Sequence, residues 1–347
     1  MDDDRATLNR LSSFLETSAA VIAKATIQQT YRPACALAGN VRVGDDCAAI
    51  PDGDGFLLFA AEGMLESFVA DDPWFAGYCA VMVNLSDVAA MGGRPLAIVD
   101  VLWTPNLPES AAIWEGMAAA ARAYDVPIVG GHTTVTGAGS VFLAAAVLGK
   151  GQNLITSFDA RSGDDLLMAV DLRGGYRGAK PFWNASVGAP PERLRDGLQL
   201  LPILAEQGWC RAGKDISNGG IVGTLGMLLE CSKIGAELWL DRLPRPENVA
   251  LERWLVSFPS FGYLLSVAPE YSSQTIARFN QLGIACARVG KTTASPSLIL
   301  SYGSAREIFS PAENADCGMN NPQSKDIRDC SFRDPQSQFR ISQPGQG

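Results

Sequence analysis

Histidine is nearly missing from this chain: 347 residues contain one, His132. A Ser-His-Asp triad or a multi-histidine metal centre must use that residue or is excluded. Paired cysteines are missing too. The eight cysteines stand singly, with no C-x-x-C, which excludes a zinc ribbon or a disulfide framework and fits reduced thiols in the cytoplasm. There is no basic excess either; the net charge of −9 argues against a nucleic-acid-binding face. No run of 18 uncharged apolar residues occurs, so no membrane-spanning helix is expected. The acidic start Met1-Asp-Asp-Asp lacks the basic region of a signal peptide. The expectation is a cytoplasmic protein that handles a small molecule, with neither nucleic acid nor membrane as partner.

What is present is core-forming material, 47% hydrophobic against 19% charged, and a length that favours two domains. Apolar periodicity predicts helices over 1–30, 72–91, 108–124, 191–207, 219–233, 247–256 and 271–281. Strands are predicted at 41–50 (interrupted by Gly44-Asp45-Asp46), 56–61, 96–103, 126–129, 141–148, 165–172, 236–240, 262–267, 285–289 and 297–300. A Gly/Asn/Ser/Asp-rich change of texture over 149–164 marks a boundary. Two domains follow, 1–150 and 151–310, with 311–347 as a disordered tail poor in core formers.

The most informative stretch is Asn84–Gly93, Asn-Leu-Ser-Asp-Val-Ala-Ala-Met-Gly-Gly. Asp72 and Pro73 suit the N-cap and first turn of its helix. That helix is apolar nearly all round, so it should be buried, yet Asn84 and Asp87 share one face. A buried carboxylate needs a partner or a bound cation, and both readings stand. Asp45, Asp46 and Glu62 also sit at element ends. Converging carboxylates are what a hard cation such as Mg²⁺ requires, while each alone is equally a turn or cap residue.

Other motifs divide similarly. Gly130-Gly131-His132-Thr133 is expected as a polar turn after a strand, with His132 a base, a ligand or a hydrogen-bonded turn residue. Asp215-Ile-Ser217-Asn218-Gly219-Gly220 opens a helix and is either an anion site or a plain cap. Arg173, Arg177 and Lys180 form a basic loop able to bind phosphate or to stay solvated. The segment 285–292 imitates a Walker A ending but begins with Ala285 where glycine is needed, and is rejected; Gly137-Ala-Gly139 lacks the third glycine of a dinucleotide fingerprint.

Taken in order, Gly-Asp-Asp-Cys-Ala-Ala, Glu-Gly-Met-Leu-Glu-Ser-Phe, Asn-Leu-Ser-Asp-Val-Ala-Ala-Met-Gly-Gly-Arg-Pro, Val-Gly-Gly-His-Thr-Thr and Asp-Ile-Ser-Asn-Gly-Gly resemble one superfamily over residues 40–300. It is the AIR synthase-related, PurM-like group of aminoimidazole ribonucleotide (AIR) synthase, thiamine-monophosphate kinase, selenide water dikinase and the hydrogenase-maturation protein HypE. The overall look is nearest to thiamine-monophosphate kinase. The resemblance implies an N-terminal α/β domain, a C-terminal α+β domain and a homodimer paired through the N-terminal sheets. It implies ATP and Mg²⁺ in the cleft. Asp45, Asp46, Glu62 and Asp87 would hold metal. Asn84, Gly130, Gly131, Thr133, Ser217, Asn218, Gly219 and Gly220 would line the nucleotide site. His132 and Asp215 would be catalytic.

Three positions depart from the kinase pattern: Ala61-Glu62 stands for Thr-Asp, His132 for Asp, and Asn218 for a second Asp. The reactive Cys and Lys of the dikinase have no counterpart around Cys35. The expected activity is therefore ATP-dependent phosphotransfer to, or activation of, a small metabolite. The alternatives are a non-catalytic nucleotide-binding member and an AIR synthase-like cyclo-ligase.

Overall fold

A computed structural model describes residues 2–27 and 37–310; the expected loop around Pro33 and the expected tail from Pro311 lie outside the described residues. The sheets and helices cluster as one unit, Met1–Ala312. The first sheet has five strands in the order β1 (Ala48–Asp52), β2 (Gly55–Gly63), β5 (Phe142–Gly151), β3 (Arg94–Thr104), β4 (Ile128–Val135). Only β3 and β4 run parallel, joined by the helix Leu107–Tyr124, as a parallel pair demands a crossover.

One face of this sheet packs on the helices Pro73–Ala90 and Leu107–Tyr124. Asp72 caps the first of these, its carboxylate accepting from Phe75 N–H at 3.2 Å, with Pro73 at the first turn. The two helices cross at a glycine pair. A Cβ on Gly77 would lie 2.1 Å from Ile113 O, and one on Gly116 would lie 1.9 Å from Trp74 O, so only glycine lets the backbones meet. That contact fixes the position of the helix carrying Asn84 and Asp87.

The second sheet has seven strands: β15 (Ala305–Phe309), β14 (Leu298–Tyr302), β10 (Gly235–Trp239), β13 (Ala285–Thr293), β6 (Asp165–Val170), β12 (Gly262–Val267), β9 (Ala212–Asp215). It is covered on both faces, and β6 shows the alternation this requires. Leu166, Met168 and Val170 enter one core with the helices Asp2–Glu16 and Gly220–Ser232, whereas Leu167 and Ala169 enter another with Leu200–Glu206 and Pro269–Gln281. A small sheet, β11 (Phe258–Pro259), β8 (Phe182–Asn184), β7 (Gly175–Tyr176), completes the strands.

The mixed α/β and α+β reading holds. Several local readings change: the expected helix over 1–30 is two helices, Asp2–Glu16 and Ala19–Thr26, and most of the expected strand 41–50 is loop, the strand beginning at Ala48. The expected helix 191–207 is two helices, Pro191–Leu198 and Leu200–Glu206, and 247–256 shortens to Leu251–Leu255. The expected turn at Gly130–Thr133 is the middle of β4. Glycines there do not end the strand because β3 supplies a full parallel ladder, Val99↔Gly130 to Thr104↔Val135. Among the described residues, no helix is long and apolar enough to cross a membrane.

Candidate functional site

Four elements bring acidic residues together. The loop before β1 carries Asp45 and Asp46, the end of β2 carries Glu62, the Pro73–Ala90 helix carries Asp87, and the end of β9 carries Asp215. The loop is tied down on both sides. Cys47 N–H donates to Met91 Sδ at 3.0 Å, which anchors it to the end of the Asp87 helix. Asp45 accepts from Ser157 N–H at 2.9 Å and Ser157 Oγ–H at 2.6 Å, which anchors it to the segment linking the two sheets. Asp46 N–H also donates to Asp45 at 3.0 Å. Asp45 is thus supplied with protein donors on both oxygens.

Asp46, Asp87 and Asp215 each present a carboxylate oxygen within 4.8 Å of the others. Asp87 is 6% exposed, and its Oδ2 is buried without a hydrogen-bond partner. Asn84, one turn earlier, is fully buried. It donates to Ala80 O at 2.8 Å and Ala145 O at 3.3 Å, which holds the helix on β5. Glu62 lies beside the trio on the helix-covered side of the sheet, paired in register with buried Ala145.

The electrostatics follow from crowding. Burial, then the charges of Asp215, Glu62 and Asp46, push the Asp87 carboxyl well above the ordinary range. Burial and the Asp46 charge push Asp215 up to about 7, against the pull of Lys214 and Lys24. Asp45 is pushed to about 6 by burial and by Asp46. Glu62 keeps an open side to solvent, but the packing around it raises its carboxyl, with Lys24 opposing and Asp46 adding. Carboxylates forced together in this way favour a proton or a cation.

Two lysines face the acids, and the sequence reading named neither. Lys214 on β9 is buried and ion-paired to Asp46. Burial alone would lower its pKa, but Asp46, Asp45 and Asp215 outweigh this and keep it charged. Lys24, from the helix Ala19–Thr26, donates to Ser217 Oγ at 2.7 Å, and burial lowers its pKa. Its stem packs on Gly219, the left-handed N-cap (φ +95°) of the helix Gly220–Ser232. A cation at the positive end of a helix is at home only where an anion joins it. Ser217 therefore sits at the cluster, while Asn218 is exposed beside it.

His132 stands apart. Register rows run Gly63↔Ala144↔Val101↔His132, so three strand spacings, about 14 Å, separate it from the end of β2. It alternates with Gly131, which faces buried Asp100, so His132 projects from the opposite face to the helix bearing Asp87. Its side chain is exposed and shares a hydrogen bond with Thr134 at 3.2 Å. Gly130, Gly131 and Thr133 go with it on the edge strand. The basic loop also resolves differently from a phosphate clamp. Arg173 pairs with Asp171 at 2.8 Å, Arg177 with Asp72 at 2.6 Å and Lys180 with Asp71 at 2.8 Å.

A protein from Synechocystis described only as uncharacterized, sll0787, is 48% identical over 270 residues, covering 78% of this chain and 84% of that protein. T. maritima PurL complexed with ATP superposes with a TM-score of 0.66 at 20% identity, over 76% of this chain and 45% of that one; this chain spans about half the length of that PurL. AaThiL complexed with AMPPCP and TMP superposes with a TM-score of 0.61 at 18% identity, over 82% and 94% of the two chains. At those identities the likeness concerns the fold. The N-terminal domain of the AIR synthase related family matches residues 44–150 and its C-terminal domain residues 179–303, a span that holds Asp45, Asp46, Glu62, Asp87 and Asp215. This chain belongs to the AIR synthase related protein family.

Proposed function

We propose that this protein is an ATP- and Mg²⁺-dependent enzyme that phosphorylates or otherwise activates a small metabolite. The observation that carries this reading is the buried, unpartnered Asp87 Oδ2 in a cluster where Asp46 and Asp215 present oxygens within 4.8 Å. All three donors are hard carboxylate oxygens, and such a set suits Mg²⁺ better than a soft transition metal. When bound, Mg²⁺ neutralises charge on nucleotide phosphates, the main catalytic requirement of phosphoryl transfer.

The chain's own contribution is positional. Asp46, Asp87 and Asp215 would hold the ion, and Glu62 would tune the charge beside it. Lys24 and the start of the Gly220–Ser232 helix offer an ammonium and backbone N–H groups to a phosphate oxygen. Asp45 holds the acidic loop in place through Ser157. Nucleotides in the similar PurL and AaThiL structures support the reading.

The outer face of the five-stranded sheet exposes Phe59, Val99, Trp103, Phe142 and Leu148. A contiguous apolar face of this kind marks an interaction surface. We infer that a second copy covers it, giving a homodimer paired through these sheets.

The test is incubation of pure protein with Mg-ATP, with and without a metabolite library, followed by separation of nucleotides. ADP together with a phosphorylated product supports a kinase, and AMP supports dikinase-type chemistry. Tight ATP binding without turnover on any acceptor overturns the enzyme reading. It would favour the second one, a nucleotide-binding subunit, for which the observation is that His132 lies away from the acids and leaves them without a histidine base.

A further inference from the structure

The five acids differ in what they have left to give. Both oxygens of Asp45 accept hydrogen bonds from Ser157, and Asp46 N–H adds another. Asp46 gives Oδ1 to the Lys214 ammonium, and its Oδ2 accepts from Asp215 N–H at 3.4 Å. Asp87 Oδ2, on a side chain 94% or more buried, accepts from nothing. The cluster thus has two poles. The Asp45–Asp46 pole is already answered by a buried ammonium. At the Asp87–Asp215 pole, among the described residues, no ammonium pairs directly with either carboxylate, and the orphaned Asp87 oxygen points to a ligand from outside the chain.

We propose that Lys214 is a built-in cation: its ammonium fills the Asp45–Asp46 pole, so that the site loads one divalent ion, at Asp46, Asp87 and Asp215, instead of two. The inference rests on the metal reading above. Lys214 is 3% exposed and Asp46 5% exposed at the side chain, so solvent screens this pair little. A buried ammonium is tolerated only when paired in this way, and removing one partner leaves an uncompensated charge. The lysine also fixes one oxygen of Asp46, leaving that residue a single oxygen to share with Asp87 and Asp215.

The test is a titration of the purified full chain with Mn²⁺, without nucleotide, counting bound ions by the loss of the free-ion paramagnetic resonance signal. Wild type is expected to bind one ion per chain. Lys214→Met, which keeps the stem and removes the charge, is expected to bind two, and Lys214→Arg one. Two ions in wild type, or one ion in Lys214→Met, overturns the proposal. No ion in wild type overturns the metal reading on which it rests. Should Lys214→Met fold poorly, Lys214→Gln carries the same expectation. Its melting temperature in EDTA should lie below that of wild type and should gain more than wild type from added Mn²⁺; an equal gain counts against the built-in cation.

Discussion

Removing the charge of Asp215 should make the metal-free protein more stable at neutral pH, the reverse of the usual result for a buried site residue. The folded-state pKa of Asp215 is about 7, raised by burial and by Asp46 from an ordinary 3.8. With a raised carboxyl pKa, the native state holds more protons than the unfolded state between those two values. Stability therefore falls as pH rises from about 4 to about 7. Each pKa unit corresponds to about 1.4 kcal/mol, so the shift costs the folded state on the order of 4 kcal/mol at neutral pH. An asparagine must still find partners for its amide, so about 2 kcal/mol is the expected net gain for Asp215→Asn at pH 7. The assay is urea denaturation in EDTA at pH 4 and pH 7. At pH 4, where there is no charge to relieve, the variant should be the less stable by the amide's cost of about 2 kcal/mol, and at pH 7 it should be the more stable. Saturating Mg²⁺ should reverse the order, because only wild type keeps all three ligands. Parallel pH profiles in EDTA, or a variant less stable than wild type at pH 7, would refute the reasoning.

Gly131→Ala should lower stability by about 1–3 kcal/mol in thermal melts, because the added Cβ would sit 2.0 Å from Asp100 Oδ1 and 2.7 Å from Asp100 O. Arg177→Ala removes a two-point ion pair to Asp72 and a guanidinium 4.6 Å from the Phe75 ring centre. Because the pair is partly exposed, the loss should be only about 1 kcal/mol, and Asp72→Ala should cost more because it also uncaps the helix. Trp103→Glu, on the outer face of the five-stranded sheet, should shift the particle mass in light scattering from dimer to monomer; an unchanged mass would place the interface elsewhere.

The sequence was most legible where local chemistry and burial agree. Asp72-Pro73 and the apolar run behind them specify the Asp87 helix, and the observed Pro73–Ala90 lies within the expected 72–91. The anomaly of a carboxylate in that run pointed to its site because no local partner was available. Turn-forming composition misled at Gly130-Gly131: pairing with β3 is a long-range fact, and the glycine at 131 serves Asp100 across the ladder, not a bend. His132 looked like a site residue for the same reason, since neither strand alternation nor sheet order can be read from a supposed turn. Lys24 and Lys214 left little trace. Lys24 lies in a helix whose partner, Ser217, is 193 residues away. Lys214 sits in a four-residue strand too short for a pattern, and the one signal was a charged pair, Lys214-Asp215, within a fully buried strand. The basic loop 173–180 went the other way: its charges are matched by Asp71, Asp72 and Asp171, two of them far along the chain.

The central claim is that Asp46, Asp87 and Asp215 hold a divalent ion that carries the nucleotide. It is tested most directly by calorimetric titration of ATP into wild type and Asp87→Asn, each with Mg²⁺ and with EDTA. Loss of one charge-assisted ligand is worth about 1.5–3 kcal/mol, so Asp87→Asn should bind Mg-ATP about 10–100-fold more weakly and lose most of its dependence on Mg²⁺. Equal affinities in the two proteins, or ATP binding by wild type that EDTA leaves unchanged, would contradict it.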